Sequence, residues 1–75
     1  MLSLKQALSR TKALYGDYFN VTVHIEKTLG TPYIGNSYKI HLWTTSNNYI
    51  EYSGYSHKSF EECFIKLADK VPPKE

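Results

Sequence analysis

Three histidines, one cysteine and a pair of adjacent acids are the residues of this chain with chemistry to offer. His24 and His41 fall in alternating segments, and His57 stands just before a helical segment. Two imidazoles and a carboxylate are the minimum for a metal site or for proton transfer. Metal-binding sequences usually carry ligands at short fixed spacing, and no HxxxH or CxxC pair occurs here. Cys63 lies near the start of a helical segment, where a helix dipole lowers a thiol pKa. It also shares a stripe with Phe60, Phe64 and Leu67, where a cysteine acts as a small hydrophobe. Glu61 and Glu62 are adjacent, so on a helix they diverge by about 100° and cannot serve one reacting group together. Acids in a first helical turn complement the helix dipole. No nucleophile–base pair and no ligand set emerges, which points away from an enzyme and implies neither cofactor nor metal.

The elements that would position these residues follow from hydrophobic periodicity. Ser3 with Gln6 three residues on is a capping-box pattern. Leu4, Ala7, Leu8, Thr11, Leu14 and Tyr15 then repeat at helical spacing, and Gly16 offers a left-handed stop, so a helix is expected over 4–15. From Phe19, apolar Val21, Val23 and Ile25 alternate with polar residues, giving a strand at about 18–27. Gly30, Pro32 and Gly35 mark 28–36 as a loop or bulged turn. Its Leu29, Tyr33 and Ile34 are expected either to fold onto the core or to form a contact surface.

Two more strands are expected at 37–44, with Tyr38, Ile40 and Leu42 inward, and at 48–54, with Ile50 and Tyr52 inward. A three-residue hairpin loop joins them. With the loop at Thr45–Asn47, Trp43 opposes Tyr49 and His41 opposes Glu51. With Ser46–Asn48, Trp43 opposes Glu51. The first is favoured slightly, since it pairs two aromatics and sets a histidine against a carboxylate. Ser59 and Glu62 form a second capping-box pattern, and Phe60, Cys63, Phe64, Leu67 and Ala68 give a second helix ending at Val71. Residues 71–75 read as a frayed tail.

An apolar sheet face cannot be left in water, so both helices should cover it. The expected fold is α+β: a two-layer αβββα domain of residues 1–75, a three-stranded antiparallel meander with both helices packed on one face. Seventy-five residues form one small core and bury only about 60% of the unfolded surface, which favours a surface site over an enclosed cavity.

The open face then carries His24, Lys39, His41, Trp43 and Tyr49. Trp and Tyr are enriched at interfaces, so these five are the candidate partner-binding residues, for a protein partner or a homodimer. Aromatic rings beside cations also suit stacked single-stranded bases. Net charge is only +2, but Lys5, Arg10 and Lys12 are unopposed by any acid in the first 16 residues. A single cysteine forms no intrachain disulfide, which makes a reducing cytoplasm the expected compartment. The sequence has neither an apolar stretch of membrane-spanning length nor a signal-peptide pattern, so no membrane partner is expected.

The element order, with Gly54-Tyr55-Ser56-His57-Lys58 leading into the second helix, resembles the double-stranded RNA-binding domain. The resemblance implies a phosphate contact near Ser56, His57 and Lys58, and a minor-groove contact from Gln6 with Lys5 or Arg10. The nucleic-acid alternative thus rests on Lys5, Arg10, Lys12, His57 and Lys58. The first expectation remains a small, non-catalytic binding module acting by protein contact, of the size of phage and bacterial accessory proteins.

Overall fold

A computed structural model describes residues 1–30, 34–44 and 49–73. The order is α1 (Leu4–Tyr15), β1 (Asn20–Leu29), β2 (Ile34–Trp43), β3 (Glu51–Ser56) and α2 (Phe60–Lys70). The strands form one antiparallel sheet in the order β1-β2-β3, and both helices lie on one face of it. The α+β, αβββα arrangement is therefore as expected.

Both helices begin where their caps place them. Ser3 Oγ accepts the Gln6 N–H at 3.1 Å, and Gln6 Oε1 accepts the Ser3 N–H at 2.9 Å, completing the box. Ser59 Oγ accepts the Glu62 N–H at 3.2 Å, but the Glu62 carboxylate does not reach back. It pairs with Lys66 one turn on, at 3.4 Å, so α2 has a cap and not the expected box. Gly16 ends α1 in right-handed geometry (φ −64°, ψ −16°) with its N–H on Lys12 O, not in the left-handed form.

The core lies between the layers. Tyr38, Ile40 and Leu42 of β2 meet Phe60, Cys63 and Leu67 of α2 and Ala7, Thr11 and Tyr15 of α1. Tyr38 and Phe60 pack edge to face, with centroids 4.9 Å apart. The buried Thr11 hydroxyl is satisfied within α1, its Oγ1 donating to Ala7 O at 2.7 Å. Gly54 lets α2 sit close on β3: a Cβ there would lie 2.4 Å from Cys63 O. The two helices run side by side in the same sense. The Leu2 N–H donates to Glu61, Arg10 covers the Phe64 ring, and the Tyr15 hydroxyl donates to Val71 O.

Several expected boundaries move. Both ends of the loop expected at 28–36 are strand, since β1 runs to Leu29 and β2 starts at Ile34, with Thr28 opposite Gly35; residues 31–33, and with them Tyr33, lie outside the described residues. Leu29 is 87% exposed, so it does not return to the core. β3 runs to Ser56, which brings Tyr55 into the sheet, while Ile50 precedes the strand and is exposed. The register sets Trp43 opposite Glu51, the second of the two hairpin pairings and not the favoured one; loop residues 45–48 lie outside the described residues. Leu4 and Leu8 are exposed and not part of the buried stripe of α1. Val71, read as the start of a frayed tail, packs against the core and is fixed by Tyr15; residues 74–75 lie outside the described residues.

Candidate functional site

The sheet face turned away from the helices collects the expected partner-binding residues. Cross-strand partners share a face, so His24 opposite Lys39, Thr22 opposite His41, and Asn20 opposite Trp43 all stand on it. β3 adds Glu51 opposite Trp43, Ser53 opposite His41, and Tyr55 opposite Lys39. Tyr49 comes just before β3 and reaches the same group through its hydroxyl. The five residues therefore lie on one surface, with His24 diagonal to His41.

Two hydrogen-bonded groups organise that surface. In the first, Glu51 Oε2 accepts the Tyr49 hydroxyl at 2.8 Å and lies 2.7 Å from His41 Nε2. His41 faces Ser53 directly, so Glu51 meets it diagonally, from two residues along β3. The Tyr49 hydrogen bond, and after it His41, hold the Glu51 carboxyl below the usual carboxylate range. The same hydrogen bond pushes the Tyr49 phenol up. In the second group, the Tyr55 hydroxyl donates to Ser37 Oγ at 3.1 Å, and its ring meets His57 edge to face with centroids 5.0 Å apart. Beside the first group, Trp43 Nε1 donates to Thr22 Oγ1 at 3.3 Å, which lays the half-buried indole along the sheet.

A shallow depression of about 180 Å³ is lined by His24, Glu26, Ser37, Lys39 and Tyr55. Sequence reasoning missed Tyr55 because it ended the third strand at Gly54. The alternation Tyr49, Glu51, Ser53, Tyr55 was the signal that could have found it.

The basic residues of the nucleic-acid alternative lie on the helical layer and on the approach to α2. Lys5, Arg10 and Lys12 are exposed on α1, and His57 and Lys58 precede α2. Arg10 lies 5.3 Å over the Phe64 ring, so its guanidinium is engaged within the helical layer. Glu61 and Glu62 follow Lys58 in the first turn of α2. The Leu2 N–H keeps the Glu61 carboxyl low and hence anionic. The groove of about 450 Å³ between the helices is lined chiefly by Leu14, Phe64, Ile65 and Ala68. Arg10, Tyr15, Glu61 and Pro73 complete its lining.

Cys63 is buried, and loss of solvation pushes its thiol up to about 11, so the thiolate form is suppressed. Its Sγ donates to Tyr38 O at 3.3 Å. Among the described residues no group of three His, Cys, Asp or Glu side chains is placed to hold a metal ion. No helix of the structure is long and apolar enough to cross a membrane. Comparison with protein-family profiles, curated proteins and solved structures gave no match.

Proposed function

We propose that this chain is a non-catalytic binding module whose open sheet face docks a protein partner. One observation carries the reading. Tyr49 and Tyr55, both exposed, flank the half-buried Trp43 on a surface whose polar groups are fixed by hydrogen bonds to one another. Rigid aromatic side chains contribute large contact area at low entropy cost, and they supply most interface hot spots. The charges on this face are of both signs, Lys39 with Glu26 and Glu51. Such a mixture favours a protein surface over a polyphosphate, which asks for one sign.

The test is partner capture by the full chain, compared at low and high salt and after nuclease treatment. Trp43→Ala should abolish capture of a specific protein, with little dependence on salt and none on nuclease. Capture that survives Trp43→Ala but fails with Lys5→Glu/Lys12→Glu, in high salt and after nuclease would replace this reading with nucleic-acid binding.

A further inference from the structure

The two edges of the sheet are finished differently. On β3 the Ser53 carbonyl accepts from Lys70 Nζ and the Tyr55 carbonyl from Lys66 Nζ, each at 2.8 Å. Two α2 side chains one turn apart thus cap the outward carbonyls of Ser53 and Tyr55, and lysines on a strand edge oppose strand addition. These contacts also fix the alternation of the ladder. Ser53 and Tyr55 point outward, and Ile50 O accepts the Thr44 N–H, so Tyr52, Gly54 and Ser56 are the β3 residues facing β2. Their partners Leu42, Ile40 and Tyr38 face β3, which leaves Ser37, Lys39, His41 and Trp43 facing β1. Opposite these on β1 stand Glu26, His24, Thr22 and Asn20. The backbone N–H and C=O groups of Val21, Val23, Ile25, Lys27 and Leu29 therefore point at the free edge. Among the described residues no side chain caps them.

The same edge is apolar on its helical side. Ile25 and Leu29 are 42% and 87% exposed, and Leu4 and Leu8 of α1 are 46% and 40% exposed. Around α1, Arg10 and Leu14 lie on one side of the Ala7–Thr11–Tyr15 stripe and Leu8 on the other, with Leu4 in line with the stripe at the helix start. Arg10 meets Phe64 of α2, so Leu8 flanks the side away from α2, toward the β1 edge.

We infer that a second copy of this chain pairs along this edge, β1 antiparallel to β1, with Ile25 on the two-fold axis. An isologous contact needs a surface complementary to itself, and β1 is one in this register. Ile25 meets the partner's Ile25, Val21 meets the partner's Leu29, and Val23 meets the aliphatic stem of the partner's Lys27, all on the helical face. On the open face His24 meets the partner's Glu26, and by symmetry the pair occurs twice. These two fall in a non-hydrogen-bonded position, where opposed side chains are closest. Moving the axis to His24 would set the imidazoles against each other and Leu29 against Phe19, which lies outside β1. Moving it to Val23 would leave Leu29 without a partner strand. Pairing at Ile25 gives a continuous six-stranded sheet with both open faces on the same side. The inference shares His24 and Glu26 with the rim of the proposed partner face, but it rests on the β1 edge and does not depend on that reading.

Sedimentation equilibrium of the full chain, from micromolar to millimolar concentration, tests it. The wild type should pass from monomer to twice the monomer mass. Lys27→Pro should remain a monomer throughout: its N–H points at the free edge, so proline removes no hydrogen bond within the protomer, and edge strands tolerate it. Glu26→Lys should weaken association roughly tenfold, and the double variant His24→Glu/Glu26→Lys should recover it. The charge variants decide the matter if Lys27→Pro fails to fold, which circular dichroism reads. A monomer at millimolar concentration overturns the inference. So does a dimer insensitive to these variants but lost in Trp43→Ala, which would use the open face instead. A double variant no tighter than Glu26→Lys overturns the register.

Discussion

Gly54→Ala should destabilise this protein by crowding α2 off the sheet. The added Cβ would lie 2.4 Å from the Cys63 carbonyl oxygen and 3.0 Å from Leu67 Cγ. The nearer atom is helix backbone and cannot rotate away. To restore even the shortest normal separation, α2 must withdraw by about 0.6 Å over β3. That movement loosens Phe60, Cys63 and Leu67, all fully buried. Overpacking of a core costs about 1–3 kcal/mol, and a backbone obstacle places this case in the upper half. Alanine recovers about 0.5–1 kcal/mol from the lower backbone entropy of the unfolded chain. The net loss is about 1–2 kcal/mol, which for a domain of this size lowers Tm by roughly 5–15 °C. Thermal unfolding followed by far-UV circular dichroism reads it. Gly30→Ala is the control, since nothing lies within 4 Å of the Cβ it would add. A Gly54→Ala protein that melts at or above the wild-type temperature would refute the argument that helix–sheet contact is set by this glycine.

Ser59→Ala removes the oxygen that accepts the Glu62 N–H and should cost about 1 kcal/mol, read as a lower urea midpoint at unchanged m-value. The Cys63 thiol, pushed up to about 11 by burial, should react with an aromatic disulfide reagent at pH 8 far more slowly in native protein than in urea; equal rates would contradict its burial. Glu51 should titrate below the ordinary carboxylate value when followed by NMR, and Tyr49→Phe should raise its midpoint. A depressed carboxyl stabilises the fold above its unfolded pKa, so whatever this group contributes is lost as pH falls through its folded pKa.

The helices and the two faces were legible because each is a local pattern. A cap occupies four residues, and an alternating strand declares its faces whatever lies beside it; Val21, Val23, Ile40 and Leu42 needed no knowledge of their partners. Register was not legible, because Thr45-Ser46-Asn47-Asn48 accepts either hairpin loop, and choosing between them by side-chain affinity favoured Trp43 opposite Tyr49. The contact that motivated the choice, His41 with Glu51, forms all the same, since a glutamate is long enough to reach diagonally. Gly30, Pro32 and Gly35 together looked like a loop, yet β2 already includes Gly35. The role of Lys66 and Lys70 was hidden for a different reason. On the sequence they are solvated helix residues, and only the strand order puts an exposed edge beneath them.

Those two lysines have a consequence for stoichiometry. A sheet with both edges open adds strands at either side, and such assembly has no natural end. With Ser53 and Tyr55 capped, only β1 remains to accept a strand, and once it is used the assembly is closed. Charge-neutral modification of Lys66 and Lys70 would reopen the second side, turning a bounded pair into the repeating unit of a filament.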